Sequence, residues 1–162
     1  MNWSNILPIL FLLLIANGAP IIVREILANR LARPLDGGIV LGDGRRLFGP
    51  TKTVRGIIAA VVATGLIAPA VGISFVAGVL LAAGSMIGDL MSSFIKRRLG
   101  IASSESVLGL DQGLEALVPA LLLHRRFSLT LLDVLVIGVV FFVLSILISR
   151  LLYWLRIRKH PF

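Results

Sequence analysis

The sequence predicts an all-α, polytopic membrane protein with about five transmembrane helices and two functional loops on the cytoplasmic side. Three observations carry that expectation. Hydrophobic residues fill 57% of the 162 positions and the mean hydropathy is +1.00, whereas a soluble domain is about 45–50% apolar. The 33 residues from Gly56 to Gly88 contain no charged side chain, more than the ~17–25 that one crossing needs. The 16 Lys and Arg are clustered, not spread, and a five-span chain places nearly all of them on one side.

The first span is Met1 to Val23, closed by Arg24. No Lys or Arg precedes it, so the basic start of a signal peptide is missing and the segment reads as a retained helix. Arg24 to Arg55 is a polar loop holding seven of the cations. Within the uncharged run, IAPAVG supplies Pro69 and Gly72, which predicts a tight turn between two helices. The third helix continues to about Ile95, and Lys96 to Gln112 forms the second polar loop. Leu114–Leu123 is a short fourth segment containing Pro119, either a span or a re-entrant piece. Leu131–Leu155 is a fifth helix before the basic tail. With the N-terminus outside, fourteen cations lie inside, including Arg150, Arg156, Arg158 and Lys159 of the tail, and only Arg125 and Arg126 outside. That is the distribution the positive-inside rule expects. No repeat is evident, and residues 1–162 read as a single domain.

Composition also excludes chemistry. There is no Cys, hence no disulfide and no thiolate metal site. His124 and His160 are far apart in sequence, and imidazole ligands come in clusters. The net charge of +8 would suggest nucleic acid in a soluble chain, but in a membrane chain it reports orientation first, and no nucleic-acid partner is expected.

The first loop contains LDGGIVLGDGRRLFGPTKTVRG. Asp36-Gly37-Gly38 and Gly42-Asp43-Gly44 bracket Ile39-Val40-Leu41, predicting a small hairpin. Arg45, Arg46, Lys52 and Arg55 are then interleaved with glycines, Pro50 and threonines, a pattern suited to polyphosphate because backbone N–H groups and fixed cations converge on one anion. The alternative is that these cations only set topology and meet anionic headgroups. The run Gly44 to Gly49 before Lys52-Thr53 is not a P-loop, since Pro50 and Thr51 interrupt it.

A second candidate begins at Asp89, an acid at the end of the apolar run. Ser93 follows four residues on and Lys96 seven, so a helix carries all three on one face. Asp111 in LGLDQGLEAL precedes Glu115 by one turn. Two carboxylates beside a basic loop suit Mg²⁺, which takes one or two protein carboxylates with phosphate oxygens and water. For Asp89 the alternative is an internal ion pair, and for Asp111 a helix-capping role. Asn17, inside the first span, serves helix–helix hydrogen bonding or a substrate contact.

DGRRLFGPTKTVRG, then GDLMSSFIKRRLGI after an apolar hairpin, then LGLDQ, resembles the CDP-archaeol synthase family, small membrane cytidylyltransferases related to CDP-diacylglycerol synthases. The resemblance covers most of the chain, including NGAP in the first helix. It implies transfer of a cytidylyl group from CTP to a membrane lipid phosphate, giving a CDP-lipid and pyrophosphate. Under it, Asp89 and Asp111 hold Mg²⁺, with Asp89, Lys96 and Asp111 the catalytic set. Arg45, Arg46, Lys52, Thr53, Arg55, Arg97 and Arg98 bind phosphates, with Asn17, Asp43, Ser93 and Glu115 as further candidates. The chain departs from the family pattern at Val54, where Trp is usual, in the IASSESVLG loop, and in the four-residue spacing of Asp111 and Glu115. These departures bear on the identity of the lipid. The implied partners are CTP, a lipid phosphate and the bilayer, with a homodimer left open. A small transporter or assembly protein, or another phospholipid-synthesis transferase, is the competing reading.

Overall fold

A computed structural model describes residues 2–28, 30–103, 105 and 107–154. The predicted Leu155, the tail cations Arg156, Arg158 and Lys159, and His160 lie outside the described residues. The described chain forms five α-helices, α1 (Trp3–Leu27), α2 (Val54–Ile67), α3 (Phe75–Arg98), α4 (Leu110–Leu122) and α5 (Leu131–Trp154).

Four of these elements are long and apolar enough to cross a membrane, the second counted with the 3₁₀ turn Ala68–Val71 that follows α2. The fourth predicted segment is the exception. At 13 residues, α4 is about 20 Å long at 1.5 Å per residue, short of the ~30 Å hydrocarbon layer. Two other boundaries also move. α1 runs past Val23 to Leu27, with Arg24 in its last turn. α3 does not stop at Ile95 but carries Lys96, Arg97 and Arg98 as its final turn, because cations are favoured at the negative end of a helix. The second polar loop is therefore only residues 99–109. The predicted turn between α2 and α3 forms as expected: Gly72 has φ 78°, and Ile73 N–H donates to the Ala68 carbonyl at 3.0 Å.

The core runs through the bundle from Ile9, Leu12 and Leu13 of α1 to Leu81 of α3 and Ile137 and Phe141 of α5, all buried. Large apolar residues on the outward faces, such as Phe11, Ile58, Leu66, Val139 and Leu147, are exposed, as suits a hydrocarbon surround. One end of the bundle is tied by short polar contacts. Thr130 and Asp133 form a reciprocal cap on α5, with Asp133 N–H to Thr130 Oγ1 at 3.2 Å and Thr130 N–H to Asp133 Oδ2 at 3.0 Å, the pattern of a capping box. Asn5 donates to the Phe127 carbonyl at 2.8 Å and Arg126 to Ser74 Oγ at 3.3 Å. Arg125 and Arg126 thus share an end with the N-terminus and the α2–α3 turn, away from the two polar loops.

The α3–α4 contact positions the site. A Cβ at Gly88 would stand 2.1 Å from the Leu114 carbonyl oxygen, and one at Gly84 would stand 3.0 Å from Pro119 Cα. Backbone cannot yield as a flexible side-chain tip can, so the two helices touch here only because both positions lack a side chain. Gly88→Ala should therefore lower thermal stability in detergent by the equivalent of at least about 2 kcal/mol, the scale of overpacking. Gly113→Ala, where the new Cβ meets nothing within 4 Å, should leave stability unchanged or slightly raised. Fluorescence-detected thermal unfolding of the two variants measures the difference, and equal shifts would refute the close contact.

Candidate functional site

The first loop folds around one buried acid. Asp36, whose side chain has no exposed surface, receives the Arg46 guanidinium at 2.5 Å and the N–H groups of Gly49 (2.9 Å), Gly38 (3.1 Å) and Phe48 (3.2 Å). Burial pushes its carboxyl up, but Arg46 and the three backbone donors outweigh that and hold it well below the usual carboxylate range. The predicted hairpin appears as a single bridge between Val40 and Arg46. Leu41 N–H donates to the Arg45 carbonyl and Leu47 N–H to the Ile39 carbonyl, around a turn at Gly44 (φ 74°).

This loop then latches onto the end of α3. Arg45 donates to the carbonyls of Arg98 (2.5 Å) and Arg97 (3.3 Å), Arg98 returns a bond to the Arg46 carbonyl (2.7 Å), and Arg98 pairs with Asp43 at 2.6 Å. Between loop and helix lies a cavity of about 230 Å³ lined by Arg45, Arg46, Gly49, Pro50, Arg97, Gly100 and Ile101. Arg45 and Arg97 make no ion pair among the described residues.

Below it, the predicted face of α3 is observed. Ser85, Ser92, Ser93 and Lys96 are buried and Asp89 half-buried, a polar stripe about 16 Å long from Ser85 to Lys96. Lys52 reaches from the first loop to Asp89 at 2.5 Å, and Lys96 crosses to Asp111 of α4 at 2.8 Å. Glu115, one turn along α4, lies close enough to feel Asp89, Lys52 and Asp111. Asp111 also accepts the N–H of Val107, which lies ahead of the helix, at 3.2 Å; the N-cap of α4 is Gly109, so Asp111 ties the incoming loop and does not cap the helix. Two polar atoms here, Ser93 Oγ of the stripe and Asp111 Oδ1 facing it from α4, are buried without a hydrogen-bond partner among the described residues. Asn17 joins its deep end, donating to Ser85 Oγ at 3.1 Å and to the Leu13 carbonyl.

Asp89, Lys52, Lys96, Asp111, Glu115 and Ser93 therefore gather in one place, with Arg45, Arg46, Arg97 and Arg98 above them. Two predicted phosphate contacts are engaged elsewhere. Thr53 caps α2, accepting the Gly56 N–H at 3.3 Å. Arg55 donates to the carbonyls of Ala28 and Arg30 just past the end of α1. The internal ion pair considered for Asp89 forms, with Lys52 of the first loop as the partner. Asp36 was legible only as a turn residue; its Asp-Gly-Gly context signalled the bend and the Gly38 N–H, but not the three donors supplied 10 to 13 residues later.

Fold and site define a small polytopic membrane protein with a cluster of acid–lysine pairs joining the first loop, α3 and α4, and an arginine-lined cavity between that loop and the end of α3. The chain belongs to the CDP-archaeol synthase family, whose profile matches residues 4–162. It is 36% identical to the CDP-archaeol synthase of Sulfurisphaera tokodaii, over 91% of this chain and 89% of that protein. It is 36% identical to the one from Pyrobaculum calidifontis, over 94% and 96%. A solved structure of an intramembrane enzyme for archaeal membrane-lipid biosynthesis superimposes with a TM-score of 0.74 at 29% identity, over 88% of this chain and 90% of that one.

Asp36 gives a pH prediction. Because its folded pKa is depressed, its contribution is fully present above the ordinary carboxylate value of about 3.9 and is lost only as pH falls through the folded value. Hydrogen exchange at the Phe48 and Gly49 amides, corrected for intrinsic rate, should thus be flat between pH 5 and 8. Asp36→Asn should accelerate it at least about tenfold at pH 7, and unchanged protection would dismiss Asp36 as the organiser of the loop.

Proposed function

We propose that the protein transfers a cytidylyl group from CTP to an archaeal-type ether-lipid phosphate, releasing pyrophosphate and leaving the CDP-activated lipid in the membrane. The observation that carries this reading is the loop cavity: Arg45 and Arg97, which make no close ion pair among the described residues although Asp43, Glu105 and Asp111 lie within electrostatic reach, line it beside the acid–lysine stripe. Fixed cations held by no direct ion pair suit a triphosphate, and Arg forks match phosphate oxygens. The family relatives, CDP-archaeol synthases by name, support the nucleotide and the lipid class.

The lipid phosphate oxygen attacks the α-phosphorus of CTP, the bond from that phosphorus to the β-bridging oxygen breaks, and pyrophosphate departs. Arg45, Arg97 and the lysines hold the β- and γ-phosphates and take up the charge that grows on the leaving group. No general base is required, because a phosphomonoester with a second pKa near 6 is already largely dianionic at pH 7. The stripe excludes water by burial and keeps the attacking phosphate at the membrane boundary.

A divalent ion fits the donor set. The available groups are hard oxygens, and Asp111 Oδ1 and Ser93 Oγ are buried without partners. Mg²⁺ needs only one or two protein carboxylates, completed by phosphate oxygens and water. Asp89 and Asp111 would hold it. When bound, it supplies charge neutralisation at the phosphates.

The cation distribution supports an external N-terminus with both polar loops cytoplasmic. Reporters fused after Gly100 should be cytoplasmic and those in the 124–128 turn external; the reverse labelling would invert the orientation.

The activity is tested by incorporation of labelled CTP into lipid with a panel of ether and ester lipid phosphates. Arg97→Gln should raise the KM for CTP, or lower kcat, at least about tenfold, since a charge-assisted hydrogen bond is worth about 1.5–3 kcal/mol. Arg30→Gln, a loop cation outside the cluster, should behave as the parent. Equal small effects at both positions would reduce the arginines to topology signals.

A further inference from the structure

The site is charge-compensated from within, each acid held by a lysine. Lys52 occupies Asp89 at 2.5 Å, with side chains 23% and 18% exposed. Lys96 occupies Asp111 at 2.8 Å, with side chains 8% and 12% exposed. The carboxylates assigned to the metal and the lysines assigned to phosphate are therefore bound to each other. A divalent cation arriving alone would have to displace an ammonium group that then has no anion to move to. It would also add two positive charges beside Arg45 and Arg97, which make no close ion pair among the described residues. CTP carries about four negative charges at pH 7, so its complex with one divalent ion carries about two. Arg45 and Arg97 balance those two, while each lysine released from its acid finds a phosphate oxygen.

We infer that Lys52 and Lys96 are placeholders that exchange partners on binding. In the free protein they hold Asp89 and Asp111; in the loaded protein they hold phosphate, and the acids are released to the metal. The consequence is selectivity for the metal–nucleotide complex over the bare ion. The inference rests on the assignment of this site to CTP and a divalent ion, and it adds the order in which the charges are exchanged. The orphaned Asp111 Oδ1 and Ser93 Oγ show where oxygen donors remain once Lys96 has taken only Oδ2.

The test uses the purified full chain in detergent without lipid phosphate, so that no turnover occurs. Binding of Mn²⁺ alone is followed by loss of its free-ion paramagnetic resonance signal. Binding of Mn²⁺–CTP is followed by retention of labelled CTP. Wild type should bind bare Mn²⁺ at least about tenfold more weakly than Lys52→Gln does, while Lys52→Gln should retain Mn²⁺–CTP at least about tenfold less well than wild type. Lys96→Gln should show the same crossing, and Lys52→Arg, which keeps the charge, should resemble wild type toward the bare ion. A lysine with a merely structural role would weaken both kinds of binding or neither, and that result overturns the inference. Wild type alone also decides it: bare Mn²⁺ bound as tightly as Mn²⁺ in the presence of CTP excludes a placeholder even if a variant fails to fold. If wild type retains CTP but with no dependence on Mn²⁺, or retains none at all, the nucleotide–metal assignment fails and this inference with it. Retention of Mn²⁺–CTP together with tight bare-ion binding defeats the exchange alone.

Discussion

The backbone contact of α3 with α4 at Gly88 is the constraint on which the site depends. Packed helices usually stand about 8–10 Å apart, set by the side chains between them. Here Leu114 O occupies the space that a Cβ on residue 88 would need, so the helices close to backbone distance. Asp89 follows Gly88 directly, and Glu115 follows Leu114. The residues that make the contact are therefore the neighbours of the residues that carry charge, and the approach brings acids from two helices together at one level. It also accounts for the length of α4. A helix whose task is to present Asp111 and Glu115 against α3 needs its first two turns at that depth, and its 13 residues suffice without a full crossing.

Four ion pairs meet at this end: Asp36–Arg46, Asp43–Arg98, Asp89–Lys52 and Asp111–Lys96. They are not equivalent. Burying an ion pair costs desolvation that the attraction often fails to recover, so such pairs are weak evidence of stabilisation, although removal of one partner costs about 3–5 kcal/mol. Asp36 escapes that problem because three backbone donors join Arg46, leaving its carboxylate fully satisfied. Asp111 does not, since one oxygen remains without a partner. A fully satisfied acid fixes a loop, whereas an incompletely satisfied one in the same field is suited to receive a ligand.

The helices were legible because an uncharged run broken by Pro69 and Gly72 has few alternatives, and the cation clusters told where the loops lie. The stripe Asp89–Ser93–Lys96 was legible too, since helical periodicity alone puts those residues on one face. What periodicity does not encode is the partner across a gap. Nothing in the spacing of Lys52 and Asp89, 37 residues apart, announces an ion pair; it follows from how the first loop folds back, which Asp36 controls. The bonds that Thr53 and Arg55 make show the same limit. Both lie in the right stretch, but α2 starts at Val54, and a helix start consumes its cap, while the unsatisfied carbonyls after α1 draw in Arg55. The length of α4 was hidden for a different reason: the eight apolar residues Ala116–Leu123 state a composition, not a depth.

One further electrostatic problem follows from the placement of the cavity. A helix C-terminus carries roughly half a negative charge, and α3 ends beside Arg97 and Gly100, both in the cavity wall. That is the unfavourable end for an anion, in contrast to the helix N-termini at which phosphates commonly settle. The chain reverses the sign in two ways. Three consecutive cations form the last turn of α3, and the Arg45 guanidinium sits directly on the carbonyls of Arg97 and Arg98, covering the oxygens from which the negative potential arises. Arg45 thus acts on the helix and on the cavity at once, and the latch that fastens the first loop to α3 is also what makes the cavity hospitable to phosphate. A loop that came loose would expose those carbonyls and lose Arg45 and Arg46 from the wall together, so loop folding and anion affinity are coupled through the same bonds. Asp36, although it lines no cavity and faces no substrate, governs that coupling from the other side of Arg46.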